Sequence, residues 1–102
     1  MQVQNKTEIF DRLRGVQHEL GVLGVRRLGI FGSFVRNEQD RESDVDVLIE
    51  FDPSKKTFEN FMNTAFLLED TLGRKVDLVT RESLSPHLGP RILEEVEYGV
   101  ID

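Results

Sequence analysis

The chain has 102 residues, a mass of 11.8 kDa and no cysteine, so one domain over residues 1–102 is expected, and disulfides, thiolate zinc and a thiol nucleophile are excluded. A net charge of −6 and a pI near 4.9 make a poor stand-alone binder of nucleic acid, whose affinity rests on neutralising phosphates. That acidity suits hard cations or a partner with a basic face. No apolar run approaches the ~18 residues of a membrane span and no signal-peptide pattern opens the chain, so the cytoplasm is the expected location.

In chain order, residues 5–20 carry Ile9, Phe10, Leu13, Val16 and Leu20 at the helical period. Asn5 followed by Glu8 resembles a capping box, Gly15 weakens the helix from within, and Gly21 and Gly24 end it. Residues 25–31 read as a strand, after which Gly32-Ser33 turns into a short helical segment. Residues 43–51 give the strongest strand pattern, with Val45, Val47, Ile49 and Phe51 alternating against Asp44, Asp46, Leu48 and Glu50. A turn at Asp52-Pro53-Ser54 leads to a helix over residues 57–72, with Phe58, Phe61, Met62, Ala65, Leu68 and Leu72 on one face and Gly73 as its stop. Residues 75–80 form a third strand. Pro90 opens a short helix through Val96, and residues 97–101 add a last extended piece. Strands alternating with helices predict a two-layer α/β or α+β domain with a small mixed sheet.

The chemistry gathers in one constellation. Gly32-Ser33 is followed by ten residues and then Asp44-Val45-Asp46. Residues i and i+2 of a strand share a face, so the two carboxylates point together with Cα atoms about 6.5–7 Å apart, a spacing that bridges a hard cation such as Mg²⁺. Asp77 sits mid-strand between Val76 and Leu78, and strand pairing would bring it to the same patch. Three carboxylates on one face repel each other, and bound cations relieve that repulsion.

Gly32-Ser33 supplies the complementary half. Glycine permits a tight turn, backbone N–H groups beyond it face an anion, and Ser33 adds a hydroxyl. Arg36, one helical turn on, brings a guanidinium nearby. Ser43 shapes the start of the following strand or touches ligand. Carboxylates that hold metal beside a turn that holds phosphate are what nucleotidyl transfer from Mg-ATP requires, with two cations about 3.5–4 Å apart flanking the displacement. His18 and His87 match no metal-ligand spacing. Phe58, Phe61 and Phe66 read as core or partner interface, since no lysines interleave them as a nucleic-acid stacking platform would have.

The stretch from Gly29 to Phe51 resembles the signature of the DNA polymerase β-type nucleotidyltransferase superfamily. More narrowly it is similar to the minimal nucleotidyltransferases, including the MntA-type antitoxins paired with HEPN-domain ribonuclease toxins. Gly32-Ser33-x10-Asp44-x-Asp46 fits the family spacing without a gap, and residues 73–79 resemble its third-acid strand. The resemblance implies a polymerase β-like fold, with Asp44, Asp46 and Asp77 as catalytic residues and ligands of two Mg²⁺ or Mn²⁺ ions. It implies Gly32 and Ser33 as holders of the triphosphate, with ATP as substrate; Arg36 and Ser43, by their place beside the turn and the strand, complete the candidate nucleotide-binding set. Asn37 departs from the pattern, standing where many relatives have glycine.

Size narrows the function. Little chain follows Asp77, so the acceptor site is expected on another molecule. The reading this favours, through the resemblance, is an antitoxin that moves AMP from Mg-ATP onto a hydroxyl, that of a tyrosine, of a partner HEPN toxin in a hetero-oligomer, with no direct contact to nucleic acid or membrane. The alternatives are a catalytically silent antitoxin that masks its toxin sterically, and a transferase for a small molecule such as an aminoglycoside.

Overall fold

The computed structural model describes residues 1–99 and 101. Two helices, α1 (Lys6–Arg14) and α2 (Gln17–Val22), precede strand β1 (Val25–Phe31) and the single-turn helix α3 (Ser33–Arg36). Strand β2 (Val45–Phe51), helix α4 (Phe58–Leu72) and strand β3 (Val76–Thr80) follow, then helix α5 (Gly89–Glu95) and the short strand β4 (Glu97–Tyr98). The four strands form one mixed sheet in the order β3-β2-β1-β4. β1 runs antiparallel to β2 and β4, whereas β2 and β3 are parallel neighbours joined across α4. A parallel pair needs such a crossover, so β2-α4-β3 is a βαβ unit inside an α+β domain.

The alternation in β2 sorts the two faces of the sheet. Val45, Val47 and Ile49 are fully buried and share the core with Leu28 and Ile30 of β1, Ile9 and Leu13 of α1, and Leu68 and Leu72 of α4. The opposite face carries Asp46 beside Phe31 of β1 and Asp77 of β3. The total exposed surface is 6114 Å², close to the roughly 5,900 Å² expected of a folded chain of this mass.

Three local features depart from expectation. The helix expected over residues 5–20 is broken in two. Asn5 does cap α1, its side chain accepting the Glu8 N–H at 2.9 Å, but Gly15 ends that helix and α2 then runs to Val22. Gly15 and the β-branched Val16 together make the helical path weak enough for the chain to turn there. In α4, capped by Thr57, the inward face is built on Thr64, Leu68 and Leu72, while Phe58 is 80% exposed. Phe58 lies in the first turn, past the end of the core, on the rim of an apolar groove with Phe51, Phe61 and Leu78. The last extended piece narrows to Glu97–Tyr98, and Val100 lies outside the described residues.

Candidate active site

Gly32 joins β1 to α3 with φ 79° and ψ −149°, backbone that side-chain-bearing residues essentially never adopt. A Cβ there would also stand 2.0 Å from Asp46 Oδ2. Both facts demand glycine. The missing side chain lets the Asp46 carboxylate lie directly against the loop assigned to phosphate. Ser33 is the first residue of α3 and half-buried. Four residues of helix carry little macrodipole, so any anion affinity here comes from individual N–H groups and from Arg36. α3 then ends on Asn37 in the left-handed conformation, φ 59° and ψ 38°. Asn is the best substitute for glycine at such a cap, so the loop closes there without one.

The acidic residues arrive from two strands. Asp46 is half-buried on β2 and registers directly with the exposed Asp77 of β3. Asp44 is exposed and lies one residue before β2, since the strand starts at Val45 rather than at Ser43. Burial, then the charges of Asp77 and Asp44, push the Asp46 carboxyl up to about 6, with Arg36 opposing. That surplus negative charge and an all-oxygen donor set fit a divalent cation. Among the described residues no three acidic side chains already stand in ligand geometry, so the fit is one of donor type and charge.

Two residues outside the motif complete the surroundings. Glu95, at the end of α5, accepts the Gly32 N–H at 2.8 Å and Arg36 Nη1 at 2.6 Å. Burial pushes its carboxyl up, but these two bonds outweigh it and hold it below the usual range. Arg36 also donates Nε–H to Glu38 at 2.8 Å, and Glu38 followed by Glu95 holds it firmly protonated. Gly32, Arg36 and Glu95 line an open cleft of about 520 Å³ with Phe31, Arg91 and Ile92.

The second residue is Arg74, 6% exposed. Its Nε–H donates to the Val3 carbonyl at 2.7 Å, and Nη1 reaches the carbonyls of Asp40, Ser43 and Arg41 at 2.9, 2.9 and 3.2 Å. The guanidinium thereby fastens the loop that delivers Asp44 and Asp46, while stacking 5.0 Å from the Phe34 ring of α3. Ser43 belongs to the same arrangement: its hydroxyl accepts the Asp40 N–H at 2.8 Å and donates to the Asp40 carboxylate at 3.3 Å. His18 and His87 are both exposed and remote in sequence from this cluster.

Comparison with known proteins bears on the family and the fold. The family described as nucleotidyltransferase domain matches residues 12–98. A protein adenylyltransferase of Thermococcus cleftensis, MntA, is 41% identical over 75 residues, which is 74% of this chain and 75% of the relative. Among solved structures, a minimal nucleotidyltransferase superimposes with a TM-score of 0.71 at 29% identity, covering 86% of this chain and 93% of that one. A toxin–antitoxin protein solved with AMP-PNP shares the fold, with a TM-score of 0.66 at 23% identity over 93% of this chain and 72% of that one. The expected mixed-sheet polymerase β-like architecture and the expected enzyme class both hold. The chain belongs to the nucleotidyltransferase domain family, as one of its minimal, MntA-like members.

Proposed function

We propose that this nucleotidyltransferase moves AMP from Mg-ATP onto a hydroxyl, a tyrosine's, of a partner HEPN-type ribonuclease toxin, and so neutralises it. One observation carries the chemistry: Asp46 and Asp77 are register neighbours on parallel strands, and Gly32, having no side chain, lets the Asp46 carboxylate lie against the loop assigned to phosphate. The acceptor is inferred from the relative named as a protein adenylyltransferase and from the neighbour that is a toxin–antitoxin protein. A basic, RNA-cleaving partner also complements a charge of −6. Mg-ATP and such a partner would meet in the cytoplasm, and no helix among the described residues is long and apolar enough to cross a membrane.

In this reading Asp44, Asp46 and Asp77 would hold Mg²⁺, which when bound would supply charge neutralisation at the phosphates and make the acceptor hydroxyl more acidic. Gly32 N–H, Ser33 and Arg36 bind the triphosphate, and Ser43 supports the turn that presents Asp44. A tyrosine hydroxyl has a pKa of about 10, so at neutral pH it must lose its proton as it attacks. Asp77, exposed on the edge strand, is the group to which this reading gives that proton. The hydroxyl oxygen forms a bond to the α-phosphorus while the bond from that phosphorus to the bridging oxygen breaks, and pyrophosphate leaves.

The test is incubation of the protein with its toxin and Mg-ATP, followed by intact-mass measurement of the toxin. Each AMP adds about 329 Da. A toxin of unchanged mass that is nonetheless silenced in a stable complex would make steric masking the function instead.

A further inference from the structure

Glu95 stands where the nucleotide reading expects an anion. Its two carboxylate oxygens are taken up separately, one by the Gly32 N–H and the other by Arg36 Nη1. Both are donors that the reading above gives to the triphosphate. The side chain is 22% exposed, so solutes reach it. The fold delivers it there firmly. A Cβ on Gly29 would meet Val96 at 2.5 Å and Tyr98 at 2.9 Å, so that glycine is what lets the chain after Glu95 pair closely alongside β1. Tyr98 registers with Gly29, Glu97 registers with Ile30, and Lys6 Nζ grips the Glu97 carboxylate at 2.8 Å.

We propose that the Glu95 carboxylate is an internal occupant of the triphosphate site, exchanged for the phosphates when nucleotide binds; this rests on the nucleotidyl-transfer reading. A carboxylate and a phosphate make the same kind of charge-assisted bond to an N–H and a guanidinium, and they compete for the same hydrogens. While seated, Glu95 satisfies the buried Gly32 amide and keeps the strained loop formed without nucleotide. It also sets one more negative charge beside Asp46, which opposes an incoming polyanion. Arg91, one turn back on α5 and lining the same cleft, is the cation available to the displaced carboxylate. The apparent nucleotide affinity is then lower than the intrinsic one by the fraction of molecules in which Glu95 has let go.

The experiment compares the wild-type chain with Glu95→Gln, measuring Mg-AMP-PNP affinity by calorimetry and following the Gly32 amide by ¹⁵N NMR. Glutamine can still accept the Gly32 N–H but loses its charge and its hold on Arg36. Binding is expected to tighten about three- to tenfold in Glu95→Gln, with the Gly32 resonance moving on nucleotide addition in both proteins. Glu95→Asp, which keeps the charge but draws it back from Gly32, is the second variant should Glu95→Gln fail to fold, and tightening is expected there as well. Unchanged or weaker binding with the Gly32 resonance still responding overturns the exchange and makes Glu95 a brace for the loop. Nucleotide that binds without moving Gly32, or binds neither protein, overturns the phosphate-loop reading and the exchange with it.

Discussion

Asp46 is held between the core and the solvent, with Asp44 and Asp77 close enough to resist its ionisation. Its carboxyl is raised from an ordinary 3.8 to about 6, so the folded state binds this proton more tightly than the unfolded state does. The sign follows: the stability this proton confers is fully present below about pH 4 and is lost as the pH rises through about 6. Because the side chain is half-exposed, solvent screening discounts the effect to about 1 kcal/mol. In the absence of divalent cations at pH 7.5, Asp46→Asn is therefore expected to melt about 4–8 °C above the wild type, and the difference should close by pH 4. A variant that melts at or below the wild type at pH 7.5 would remove the charge-crowding account. Mg²⁺ with AMP-PNP should reverse the order, stabilising the wild type while leaving the double variant Asp44→Asn, Asp46→Asn unmoved.

At the scale of elements, the loop between α3 and β2 must place Asp44 without regular structure of its own. Arg74, just after α4, gathers its carbonyls with that of Val3 around one buried guanidinium. Arg74→Ala strands these acceptors and is expected to cost about 3 kcal/mol, lowering Tm by more than about 10 °C. Arg74→Lys should recover little, since a single ammonium cannot reproduce the fork of the guanidinium. A lysine variant that melts like the wild type would show that charge alone suffices. Neither Arg74 nor Glu95 was legible in the sequence, and the reason is physical. Each acts through contacts with chain far away in sequence, from Glu95 to Gly32 and from Arg74 to Val3 and Ser43, which leave no periodicity and no spacing. Gly32, Ser33, Asp44, Asp46 and Asp77 were legible because a tight turn and a period-two strand write themselves locally. Phe58, read as core or partner interface, stands outside the core for the converse reason: helical phase tells which way a residue points, not where the core beneath it ends.

For the whole molecule, the order β3-β2-β1-β4 sets the division of labour. β2 lies inside the sheet, and its Asp46, with Asp44 just before the strand, can serve the nucleotide from a fixed position. β3 is an edge, and its exposed Asp77 shares the face of Asp46 but stands nearer the sheet's open side. If an acceptor hydroxyl arrives on another protein, Asp77 is the acid that meets it, and its contribution belongs to the transition state more than to nucleotide binding. Asp77→Asn is accordingly expected to keep Mg-AMP-PNP affinity within about threefold of the wild type and to lose at least about 100-fold in the rate of transfer to the toxin. The pair of measurements is calorimetry for binding and the time course of the intact-mass increase for transfer. Equal losses in both would make Asp77 a nucleotide ligand with no separate duty toward the acceptor. Transfer at the wild-type rate would move the proton-accepting role to another group and leave the edge strand with docking alone.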